Sequence, residues 1–82
     1  MISPLFDTVR ALTADVLQVP ADQLTAQSSP ENIEAWDSVH HLNLVLALEQ
    51  EFGVQFEPEE IDDMSNLGRV LEVVENKLSP HS

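Results

Sequence analysis

The chain has 82 residues, which makes one small domain over 1–82 with an expected core at about 4–78 and a short C-terminal tail. Fifteen Asp and Glu against three Lys and Arg give a formal net charge of −12. That charge repels phosphate backbones and anionic lipid, so neither nucleic-acid nor membrane binding is expected, and basic protein partners are favoured. There is no cysteine, which excludes disulfides and thiolate metal sites and means that any thiol chemistry needs an imported thiol.

Ser3-Pro4 reads as a cap and a first-turn proline. Leu5, Val9, Leu12 and Val16, with Phe6 and Leu17 beside them, repeat at helical spacing and predict a helix over 4–17. Between Gln18 and Asp37, Pro20, Pro30 and Thr25-Ala26-Gln27-Ser28-Ser29 predict a long loop, pinned to the core by Leu24 and Ile33, with Val19 and Trp36 as further apolar anchors. The next helix is expected to begin with Asp37 or Ser38 as its cap and to end at Gly53. Val39, Leu42, Val45 and Leu46 form its stripe, widened by Leu44, Leu48 and Phe52, a width that predicts a central helix covered by others.

Beyond Gly53, Val54 and Phe56 are expected to insert into the core. Pro58-Glu59-Glu60-Ile61-Asp62-Asp63 predicts about one helical turn. Ser65-Asn66 offers a cap for a last helix carrying Leu67, Val70, Leu71, Val74 and Leu78 and closed by Ser79-Pro80, with His81-Ser82 as a frayed tail. The expected fold is all-α: a small four-helix bundle of three main helices and one short helix, with a long first loop. The N-terminus lacks the basic segment and long apolar run of a signal peptide, and no apolar run reaches membrane-span length, so a cytoplasmic address is expected.

Ser38 stands at a helix start, where the dipole is positive and N–H groups are free, a favourable place for a phosphate ester. Asp37-Ser38-Val39, followed by a Leu-rich helix ending Ala47-Leu48-Glu49-Gln50-Glu51-Phe52-Gly53-Val54, resembles the Asp-Ser-Leu attachment motif and second helix of acyl carrier proteins. The resemblance runs from about Leu5 to Leu78. It implies that Ser38 carries a covalent 4′-phosphopantetheine arm taken from coenzyme A, that Asp37 orients the serine, and that a separate phosphopantetheinyl transferase, with its own magnesium, makes the bond. It also implies that acidic residues dock basic patches on partner enzymes. The partner-facing residues expected on this basis are Val39, His40, Asn43, Glu49, Glu57, Glu59, Glu60 and Asp62.

Other chemistries are weaker. His40 and His41 adjoin Ser38, but no Gly-x-Ser-x-Gly turn is present and the domain has little room for an oriented triad, so no catalytic residue is assigned. Successive helical residues point about 100° apart, which makes the two histidines poor joint metal ligands and better solvated surface residues. Asp62 to Gly68 fails as a calcium loop, because Met64 and Val73 fall where oxygen ligands are needed. The acids from Glu49 to Asp63 read as a solvated rim. Trp36 reads as buried against the loop with its indole N–H directed to a partner or to water.

Trp36, His40 and Asn43 depart from the residues usual in fatty-acid-synthesis carriers, and Val39 replaces the usual Leu, which points to a specialised pathway. The expectation is a monomeric acyl carrier, not an enzyme, that holds intermediates of fatty-acid or polyketide type as thioesters. An acyl- or aminoacyl-loading ligase or acyltransferase would charge it and downstream biosynthetic enzymes would use it. An aminoacyl or peptidyl carrier, and an acidic helical interaction domain whose Ser38 is only a cap, are the alternatives.

Overall fold

In the computed structural model, which describes residues 4–78, a proline opens the first helix, α1 (Pro4–Leu17). Proline suits that place because the first-turn N–H it lacks would be unpaired anyway. Val9, Thr13, Ala14 and Leu17 face the core, and Leu5, Phe6, Leu12 and Val16 pack half-buried around them. The buried Thr13 hydroxyl is satisfied, donating to the Val9 carbonyl at 2.8 Å. Gln18 takes φ 59° and turns the chain out of the helix. Its side-chain amide donates to the Asp15 carbonyl at 2.8 Å and the Val19 N–H to that of Ala14 at 3.1 Å, so carbonyls at the helix end are not orphaned.

The long loop contains a single 3₁₀ turn, Ala21–Gln23. Leu24 is buried, Ile33 half-buried and Trp36 buried, so the expected pins hold. Sequence reading missed a further fastening: the Leu67 N–H donates to the Ser28 carbonyl at 2.8 Å, and the Gly68 N–H to the Ala26 carbonyl at 2.9 Å. Gly68 permits that approach, since a Cβ there would lie 3.1 Å from the Ala26 oxygen.

Helix α2 (Ser38–Phe52) ends at Gly53, whose φ of 65° is the left-handed conformation glycine adopts without strain. Its core face is Leu44, Val45 and Leu48, with Phe52 half-buried. The expected stripe is corrected here, because Val39, Leu42 and Leu46 are 66%, 56% and 56% exposed. At about 100° per residue these three lie on the arc roughly opposite Leu44 and Leu48, so α2 is covered on one side only.

After α2, Phe56 is buried and Val54 half-buried, as expected. The Phe56 N–H donates to Glu49 Oε2 at 2.9 Å, strapping the segment back onto α2. Helix α3 (Pro58–Asp62) opens with a capping box between Glu57 and Glu60. Helix α4 (Leu67–Leu78) is capped by Asn66, whose Oδ1 accepts from the Arg69 N–H at 2.8 Å. It buries Leu67, Val70, Val73 and Val74, leaves Leu71 half-buried and exposes Leu78. The expected Ser3 cap, Ser79-Pro80 stop and His81-Ser82 tail lie outside the described residues. Among the described residues there is no strand, and the buried side chains form one cluster in which α1 packs against α2 and α4. This is the expected bundle of three main helices and one short one.

Candidate functional site

Of the two residues that could cap α2, Asp37 does so. Its backbone is extended and its Oδ1 accepts from the His40 N–H at 2.9 Å. His40 Nδ1 lies 2.8 Å from the same oxygen. The backbone N–H, and after it the His40 side chain, hold the Asp37 carboxyl below its ordinary value of 3.8. With the cap supplied next door, Ser38 is the first helical residue. It is exposed, and neither its hydroxyl nor its N–H has a hydrogen-bond partner within the described residues. The loop serines differ. Ser28 is 5% exposed with its Oγ accepting from the Thr25 N–H, and Ser29 Oγ accepts from the Glu31 N–H.

Beside Ser38 opens a cleft of about 570 Å³ between the loop, α2 and α3, lined by Trp36, Asp37, Leu42, Ile61, Asp62 and Met64 among others. Its inner wall is polar and aromatic together. Trp36, 1% exposed, donates its indole N–H to His41 Nδ1 at 3.0 Å, and the two rings stack with centroids 6.1 Å apart. Indole is a donor only, so Nδ1 must accept and the imidazole proton sits on Nε2, which donates to the Ile61 carbonyl at 3.3 Å. His41 is therefore half-buried and doubly bonded, contrary to its expected place among solvated surface residues. His40 is half-buried too, drawn onto Asp37.

The other expected site residues divide into two groups. Val39 and Asn43 are exposed on the outward arc of α2, where Leu42 and Leu46 join them. Glu57, Glu59 and Asp62 are exposed around α3. Glu49 is committed inward to the Phe56 N–H, so this acid serves the fold more than the rim. Glu60 is half-buried: its Oε1 accepts from the Glu57 N–H at 2.7 Å and meets Lys77 Nζ at 3.0 Å, contacts that lower its pKa, the Glu57 N–H foremost. Sequence reading missed His41, Ile61 and Met64 as cleft residues and placed Leu42 in the core. Trp36 and its need for an acceptor were the one available signal. Among the described residues no group of three His, Asp or Glu could hold a metal ion.

The family described as "Phosphopantetheine attachment site" matches residues 7–74. An acyl carrier protein of Thermosynechococcus vestitus is 33% identical over 78 residues, covering 94% of this chain and 95% of that one. One from Helicobacter pylori is 34% identical over 76 residues, covering 92% and 97%. The solution structure of a holo acyl carrier protein from Geobacter metallireducens superposes with a TM-score of 0.83 at 30% identity, covering 93% of this chain and 87% of that one. The chain thus belongs to the phosphopantetheine-attachment family, among the acyl carrier proteins. It is a carrier and not an enzyme: 4′-phosphopantetheine is attached covalently, and tethered intermediates are passed among partner enzymes such as transferases and biosynthetic enzymes. Among the described residues no helix is long and apolar enough to cross a membrane.

Proposed function

We propose that Ser38 is the point at which the 4′-phosphopantetheine arm is attached, and that the domain works as a monomeric carrier in the cytoplasm. One observation carries the assignment: among the described residues, Ser38 alone combines an exposed, uncommitted hydroxyl with the first position of a 15-residue helix. The residues present fit the group. A phosphodiester on Ser38 Oγ would meet the unpaired Ser38 N–H and the positive end of α2, and the cleft offers the arm a place to lie. The arm supplies the thiol, and so the thioester linkage, that a chain without cysteine cannot make.

Attachment is a substitution at phosphorus. Ser38 Oγ bonds to the pantetheine-side phosphorus of coenzyme A, the pyrophosphate P–O bond breaks, adenosine 3′,5′-bisphosphate leaves, and the hydroxyl proton passes to a base on the transferase. The part played by this chain is presentation. Because Asp37 takes the capping role and occupies the His40 N–H, the adjacent hydroxyl stays free for attack.

The docking face belongs to the same proposal. Val39 and Asn43, with His40 beside them, would meet partners on α2, and Glu57, Glu59, Glu60 and Asp62 would meet them around α3, with Glu49 holding the strap between the two. Val39, Leu42 and Leu46 add apolar area to this face, and the acids suit the basic surfaces of a transferase, a loading ligase or acyltransferase, and downstream enzymes. Asn43 and His40 supply no fixed negative charge beside Ser38, which supports a specialised pathway rather than housekeeping fatty-acid synthesis.

The test is intact-mass analysis after incubation with coenzyme A and a broad-range phosphopantetheinyl transferase. The native chain should gain one arm. Ser38→Ala should keep native helix content and gain nothing, and mass appearing on another serine would overturn the assignment.

A further inference from the structure

An acyl group tethered at Ser38 has two apolar destinations. One is the outer cleft; the other is the core behind it, reached through the seam between α2 and α3. Across that seam run the indole N–H of Trp36, both nitrogens of His41 and the Ile61 carbonyl, one continuous hydrogen-bonded chain. Trp36 stands two residues before Ser38 and is 1% exposed, and Met64, which forms part of the cleft wall, is 2% exposed. The side chains deeper in, Leu44, Leu48, Val70 and Val74, are fully buried. To pass inward, cargo would have to part the chain, strand a buried indole N–H without an acceptor, and displace close-packed side chains.

We propose that Trp36 and His41, bonded through to the Ile61 carbonyl, act as a specificity-determining latch that holds the α2–α3 seam shut and confines medium-length acyl cargo to the outer cleft, outside the core. The proposal rests on Ser38 as the attachment point. It makes Trp36 and His41 positioning residues: they act on cargo by fixing the wall it lies against. The carrier then suits cargo that a partner enzyme must reach without first drawing it out of a protein interior.

The experiment uses the full chain, converted to the holo form and octanoylated on its arm, with holo protein as reference. Intact mass is read first. Failure to load at Ser38 overturns the attachment and the latch together, whereas the latch alone is judged on protein already shown to be loaded. In the native chain, octanoylation should shift the methyl resonances of Leu42 and Ile61 and leave those of Leu44, Leu48, Val70 and Val74 in place. Hydroxylamine should cleave the thioester as fast as it cleaves octanoyl-pantetheine in solution.

Trp36→Phe keeps an aromatic ring and deletes the N–H, and His41→Leu deletes both bonds. In either, the core methyls should move on octanoylation and cleavage should slow by about fivefold or more, as the cargo spends most of its time inside. His41→Gln, whose amide can accept from the indole and donate to the Ile61 carbonyl, should restore native behaviour, a rescue that mere loss of packing would not show. Core shifts or slowed cleavage in the native chain would overturn the latch. So would Trp36→Phe and His41→Leu proteins that fold and behave as the native chain does, and if either fails to fold the native readings decide alone.

Discussion

Asp37 shows how one exposed carboxylate can organise a site without touching the chemistry. Its pKa is lowered, chiefly by the His40 backbone N–H and then by the His40 side chain. A carboxyl depressed in the folded state contributes stability that is fully present above the unfolded value, near 3.8, and is lost as pH falls through the lower native value. Asp37→Ala should therefore melt at a lower temperature than native at neutral pH, and the gap should close as both are titrated to strong acid, which paired thermal melts would check. Asp37→Asn, still an acceptor, should lose less at neutral pH. If the gap between native and Asp37→Ala were constant with pH, the cap would not act through its charge. Asp37 and Ser38 were legible in the sequence because a cap beside a helical stripe is a local pattern. His41 was not, since nothing in His40-His41 says which ring turns inward. The indole of Trp36 demanded an acceptor, and only the three-dimensional path of the loop shows that His41 meets the demand.

Helix α2 is defined by its local pattern and oriented by its neighbours. Its length, its start and its end at Gly53 were legible, whereas its orientation was not. Leucine and valine occupy both arcs, so the period identifies a helix without saying which side is covered, and burial falls on Leu44, Val45 and Leu48 because those pack beside α1. The Glu49 strap was illegible for a related reason: a carboxylate in an acidic run reads as solvated until its partner, the Phe56 N–H seven residues on, is seen. Glu49→Ala would leave that part-buried N–H unpaired and should cost about 1–2 kcal/mol in denaturant unfolding, with faster hydrogen exchange at the Phe56 amide. Glu49→Gln retains an acceptor and should recover most of the loss. Equal destabilisation by the two substitutions would show that charge, and not the hydrogen bond, holds the segment.

The whole molecule is an anion with its few cations already engaged. Arg10 pairs with Asp7, Arg69 with Asp63 and Glu72, and Lys77 with Glu60, so most of the 15 acids face no counter-charge. The radius of gyration is 11.7 Å. Screening reaches about 30 Å at 0.01 M salt and about 10 Å at 0.1 M, so at low salt every acid feels every other and at moderate salt few do. Thermal midpoints should rise across that range, while association with a basic partner enzyme should slow, because the same charge that strains the fold steers the encounter. Midpoints indifferent to salt would mean the charges are too dispersed to oppose folding. With the Trp36 ring packed in the core two residues before Ser38, an arm attached at Ser38, as proposed, would have its base fixed to the rigid body, and the volume its thiol sweeps would depend on the arm alone. A group confined by a short flexible tether reaches an effective concentration of the order of millimolar at a docked enzyme, so once the two proteins have docked, delivery of the cargo depends on how long they stay together and hardly at all on their bulk concentration.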